Sequence, residues 1–150
     1  MDIHTILVPY DFSEYAEHAF IWAVSLAEQW RARIVLLHAV PLLHHVSVPE
    51  HLLIDIPQLD TDRVIEAEEH LQDFLMEKRE LASVTVETRV VRGDPFGAIC
   101  QAAKQEHADL IVMGSHGRTG LAHVLLGSVA ERLVRHALCP VLITRRSPAQ

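Results

Sequence analysis

Apolar and polar residues follow two alternating patterns along the chain. Ile3 to Pro9 (IHTILVP) is a short apolar run closed by a proline, as expected of a buried strand. Asp11 and Ser13 follow, each a good helix N-cap. Ala16, Ala19, Phe20, Ala23, Val24, Leu26, Ala27 and Trp30 then recur at helical spacing. Arg33 to Val40 (RIVLLHAV) is a second strand, apolar on both faces, as a parallel sheet requires. Pro41 to Leu59 contains Pro41, Pro49 and Pro57 and shows no period, which predicts a long connection. From Thr61, the residues Val64, Ala67, Leu71, Phe74 and Leu75 mark an amphipathic helix with acids on its other side. Val84 to Val91 alternates as a third strand. Gly93-Asp94-Pro95 turns the chain into a helix reaching about His107, with Pro95 suited to its first turn. Leu110 to Met113 is a fourth strand, a glycine-rich loop follows, a helix spans about Ser128 to His136, and Pro140 to Thr144 is the last strand.

Strict alternation of strand and helix implies a parallel sheet with helices on both faces. Right-handed crossovers leave few topologies. The expected fold is α/β, a Rossmann-like, doubly wound five-stranded parallel sheet in the order 3-2-1-4-5. No internal repeat or linker divides residues 1 to 150, so one domain is expected.

Composition narrows the class. The chain is 49% hydrophobic and 22% charged, near the globular average. Its longest apolar stretch, Ile34 to Leu43, is interrupted by His38 and Pro41 and is too short to span a bilayer. The N-terminus has no basic region ahead of an apolar run, so no secretory signal is expected. Cys100 and Cys139 are the two cysteines; they form no CxxC and are expected to be buried thiols in a reducing cytoplasm. The net charge of −7 is uneven: residues 115 to 150 hold five Arg and one acid, and residues 1 to 114 carry −11. Such an acidic chain repels nucleic acid. Its small basic island suits a compact anion, although chance clustering of surface arginines gives the same pattern.

In an open sheet of this order, ligands bind beyond the carboxyl ends of the strands, where the order reverses. Strands one and four meet there. Their ends carry Pro9-Tyr10-Asp11 and Met113-Gly114-Ser115-His116-Gly117, and the basic island begins at the same place. In the loop GSHGRTGLAHVLLGS, Gly114, Gly117 and Gly120 come at intervals of three, and Gly127-Ser128 precedes a helix. Glycines admit close backbone approach, and the first amides of a helix attract phosphate. Arg118 adds a cation, and Ser115, Thr119 and Ser128 add hydroxyls. The same residues also suit a plain loop with a glycine turn and a capping serine. There is no GxxxxGK[ST], GxGxxG or GxSxG, which weighs against P-loop hydrolysis, dinucleotide binding of the NAD type and a serine-hydrolase elbow.

Gly114-x-x-Gly117-x9-Gly127-Ser128 resembles the nucleotide-binding signature of the universal stress protein family. ILVPYDFS (Ile6 to Ser13), VLLHAV (Val35 to Val40), GDP (Gly93 to Pro95), DLIVMGSHGR (Asp109 to Arg118) and CPVLI (Cys139 to Ile143) are similar to that family's other motifs, in its order. The resemblance implies its ATP-binding branch: a cytoplasmic stress-response protein that binds adenine nucleotide, as ATP with Mg²⁺, and forms a homodimer. Asp11, with Pro9 and Tyr10, would then face adenine or ribose, and the Ala39 backbone would meet the adenine edge. Met113 would pack on the base and Gly114 on the ribose. Gly117, Gly127, Ser128 and Val129 would hold phosphates, with Ser115, His116 and Arg118 nearby. Tyr10 is bulky for that position.

Plainer roles stand beside these. Asp11 could serve as a helix cap, and Met113 could simply pack in the core. His116 has no carboxylate in its loop to orient it, which favours hydrogen bonding over general-base work. His44, His45 and His51 could grip zinc, but their spacing better suits solvated loop residues. The apolar strand PVLIT would lie at a sheet edge, where pairing with its own copy gives a two-fold dimer; the tail Arg145 to Gln150 could instead screen it. Two other functional classes fit. One is a slow ATPase or self-phosphorylating protein using Ser115, Thr119 or Ser128. The other is an interaction module that binds no nucleotide.

Overall fold

The computed structural model describes residues 2–42, 56–78, 83–117 and 126–145. Nine elements alternate along them: β1 (Thr5–Pro9), α1 (Glu14–Trp30), β2 (Arg33–Val40), α2 (Ile56–Glu77), β3 (Val86–Arg92), α3 (Pro95–Gln105), β4 (Leu110–Gly114), α4 (Ser128–His136) and β5 (Val141–Thr144). All strand pairs are parallel, in the order β3-β2-β1-β4-β5. This is the expected doubly wound sheet.

Side-chain alternation explains why both faces need helices. Ile6, Val8, Ile34, Leu36 and Val112 join one buried cluster with Phe20 and Leu71, beneath α1 and α2. Their neighbours Leu7, Val35, Leu37, Ile111 and Met113 join another with Ile99 and Leu133, beneath α3 and α4. Ile6, Leu7, Ile34, Val35 and Ile111 are fully buried. Truncating such a residue to Ala costs about 2–5 kcal/mol.

Local chemistry sets the helix starts. Ser13 caps α1, its Oγ accepting from the Ala16 amide at 3.2 Å, while Asp11 Oδ1 accepts from the Ser13 amide at 3.1 Å. Asp94 caps α3 through the Gly97 amide at 3.0 Å, with Pro95 in the first turn as expected. α2 begins at Ile56, not Thr61, so the expected connection to Leu59 is shorter at its end. Pro57 lies in the first turn, where a missing N–H costs nothing. Leu59 is 48% exposed, so the opening turns contribute no apolar period to detect. β3 starts at Val86 rather than Val84, where pairing with Ile34 begins.

The rim opposite the carboxyl ends is tied by charge. Arg33 donates to Thr5 Oγ1 (3.2 Å), to Glu87 (3.1 Å) and to the carboxylate of Glu106 (3.1 Å). Asp109 accepts from the amides of His4 and Thr5 at 2.8 and 3.0 Å, which joins the starts of β1 and β4. Among the described residues, no helix is long and apolar enough to cross a membrane.

Candidate functional site

The carboxyl ends of β1, β2 and β4 open into a cavity of about 510 Å³. Its floor comes from the chain as it leaves each strand: Pro9, Tyr10 and Asp11 from β1, Ala39 from β2, and Met113 to Gly117 from β4. One end is the start of α4, with Gly127, Ser128 and Val129. The structure therefore brings together every residue singled out for nucleotide contact except Arg118. Arg118, Thr119, His44, His45 and His51 lie outside the described residues.

Two glycines lie in close quarters, and at the first the surroundings require glycine. A Cβ on Gly114 would stand 2.8 Å from both the Cβ and the carbonyl oxygen of Tyr15, so only glycine lets α1 begin against the end of β4. A Cβ on Gly117 would stand 2.6 Å from Asp11 Oδ2, which places that carboxylate against the loop. Gly127 caps α4 with backbone alone, at φ −67° and ψ 154°. Its amide donates to the Ser115 carbonyl at 2.7 Å, drawing the start of α4 back to the end of β4. Ser128 is thus the first helical residue, and the capping-serine alternative is corrected: Gly127 holds the cap position and no side chain caps the helix. The first-turn amides of α4 and its positive dipole end consequently face the cavity. That end of the cavity suits an anion.

The side chains nearby are fixed in different ways. Asp11 both supports the α1 cap and lines the cavity. Ser115 is 3% exposed, and its Oγ lies 3.0 Å from His116 Nδ1. The His116 ring is 5.4 Å from that of Tyr15. Tyr10 reaches the cavity, but its ring packs in the core 4.7 Å from Phe74. Its bulk is therefore directed away from the site. Burial, then the carboxylates of Glu17, Asp11 and Glu77, raise the Tyr10 phenol far above its ordinary value, so it stays protonated. Cys100 and Cys139 are part-buried rather than fully buried, and burial raises both thiols. Among the described residues, no group of three or more His, Cys, Asp or Glu is placed to hold a metal ion.

Sequence reasoning missed the α2 wall. Arg63, Glu66, Ala67 and His70 line the cavity, as do Phe12 and His38. The α2 positions recur at helical spacing of three and four, a visible signal. Only the folded arrangement of α2 over β2 and β3 gives that stripe a cavity to face.

Comparisons with known proteins agree with this architecture. Residues 2–145 match the model of the universal stress protein family. A universal stress protein of Thermus aquaticus, from the QAH/OAS sulfhydrylase 3' region, is 35% identical over 142 residues, covering 94% of this chain and 98% of the relative. The structure of universal stress protein UspA from Lactobacillus plantarum is similar with a TM-score of 0.81 at 28% identity, covering 97% of this chain and 99% of that one. A universal stress protein solved in complex with cAMP has a TM-score of 0.64 at 25% identity, covering 98% of this chain and 100% of that one. The chain belongs to the universal stress protein family.

Proposed function

We propose that the protein binds an adenine nucleotide, ATP, at the switch point of its sheet and acts as a nucleotide-responsive module in a cytoplasmic stress response. One observation carries this function: a helix N-terminus without a side-chain cap and the glycine-bearing end of β4 meet in a single cavity. Phosphates sit against Gly117, Gly127, Ser128 and Val129, where amides and the helix dipole compensate their charge. Asp11 accepts from a ribose hydroxyl, and Ala39 and Met113 flank the base. Arg118 adds its charge from the loop. The family member in complex with cAMP supports this class of ligand.

Asp11 is the carboxylate beside Gly117 at this end of the cavity; Mg²⁺ would accompany the phosphates there and offset their charge. β5 forms the sheet edge, with Leu142 36% exposed, and pairing of two such edges makes the functional dimer.

The Ser115–His116 contact supports a second reading, slow phosphoryl transfer. Ser115 Oγ attacks the γ-phosphorus, the bond to the β–γ bridging oxygen breaks, ADP leaves and the hydroxyl proton passes to His116 Nδ1.

One preparation tests both readings. Protein purified from cells is denatured and the supernatant is analysed for nucleotide; the apo protein is then melted with ATP and Mg²⁺. Adenine nucleotide in the supernatant is expected, with stabilisation of about 2.7 kcal/mol when ligand stands at a hundred times its Kd. Neither signal at millimolar ATP would leave an interaction module without nucleotide. ADP accumulation with phosphate on Ser115 would add the transferase activity.

A further inference from the structure

We propose that the cavity contains a second subsite, on the α2 side of the sheet edge, that receives a flat heteroaromatic ring. The ligand class it selects carries two such rings joined through phosphates, a dinucleoside polyphosphate. This rests on the nucleotide site above for its first half.

The cavity straddles the sheet. Along β2, Leu37 belongs to the cluster under α3 and α4 and Leu36 to the cluster under α1 and α2. Alternation then places Ala39 on the α3–α4 side, with Met113 and the α4 end. It places His38 on the other side, where its ring meets that of Phe12. Phe12, His38, Arg63, Glu66 and His70 wall that half of the cavity. None of them has a part in the nucleotide contacts assigned above.

This half is shaped for an aromatic guest. Phe12 has φ 64°, a left-handed conformation that a bulky residue adopts only when its surroundings enforce it. Its ring is held by Tyr10 at 5.4 Å, His38 at 4.7 Å and His70 at 5.7 Å. His38 is 6% exposed, and its Nδ1 donates to the Tyr10 carbonyl at 2.7 Å, which fixes the imidazole orientation. Arg63 is anchored on the Pro41 carbonyl at 2.8 Å. The result is a π-lined recess with a guanidinium and a carboxylate at its margin. Stacking on such a surface accepts any heterocycle, and polar margin groups read its edge.

The two halves meet at Asp11. Its carboxylate stands against Gly117, at the phosphate end, and Phe12 is the next residue. The nucleotide half and the aromatic recess are therefore contiguous, one residue apart along the chain.

The test compares ATP with diadenosine tetraphosphate by calorimetry on the full chain at fixed salt and Mg²⁺. Wild type is expected to bind the dinucleotide about tenfold more tightly, the lower range of one base stacked on an aromatic. His70→Ala and Phe12→Gly should each bring that ratio toward one. His70 lies on the exposed side of α2 and Ala favours helix, so the first variant folds; circular dichroism checks the second. Equal affinities in wild type, or a preference that survives in both folded variants, would overturn the second subsite alone. If neither compound binds, the nucleotide site fails and the second subsite falls with it.

Discussion

At the scale of single residues, the site depends on side chains that are missing. Gly127 is instructive because its backbone is extended and open to any residue, so its need for glycine is local and spatial. A Cβ there would lie 3.3 Å from the Ser115 carbonyl oxygen, tight but tolerable after a small shift. Gly127→Val should therefore fold, at a cost of about 1–3 kcal/mol, while its methyl groups occupy the ground where phosphate approaches. Thermal melting with ATP and Mg²⁺ is expected to show no stabilisation of the variant. A wild-type shift would place the phosphates elsewhere. Gly114 differs, because Tyr15 backbone blocks any side chain and a substitution there disturbs the fold itself.

At the scale of elements, pattern and structure agree where burial dictates both. β2 spans Arg33–Val40 and α4 spans Ser128–His136, each as the apolar spacing and the glycine-serine start indicate. The start of α2 was not legible, because Leu59 is half exposed and the buried residue beside it, Asp60, is polar, so no apolar period marks the first turns. The β1 and β4 ends of the site were legible for a physical reason: glycine and proline punctuation falls where strands stop. The α2 wall was not, since Arg63 and His70 acquire a role only through packing that brings α2 beside β2. Charge ties the elements at the opposite rim. The amides of His4 and Thr5 pull the Asp109 carboxyl below its ordinary value of 3.8. A depressed acid stabilises the fold above its unfolded value and loses that contribution as pH falls through its folded one. Asp109→Asn should cost about 1 kcal/mol at neutral pH, the figure being small because the site is partly in water. Urea melts should show the gap between variant and wild type closing below about pH 4, near the ordinary carboxylate value. A gap of constant size would assign the effect to shape instead.

For the whole molecule, β5 is an edge strand of the sheet among the described residues. Leu142 sits there at 36% exposure, and Leu138, just before the strand, is 90% exposed. Two copies joined along this edge would satisfy its backbone and shield both leucines. Leu142→Arg should convert a dimer to a monomer, read as a halved mass by light scattering; an unchanged mass would remove the edge from the assembly. The hydrogen bond from the Gly127 amide to the Ser115 carbonyl has a longer reach. It staples the first turn of α4 to the residue that follows β4 through main-chain atoms alone, so the anion's cradle is a product of the fold and survives a change of the side chains on either bank.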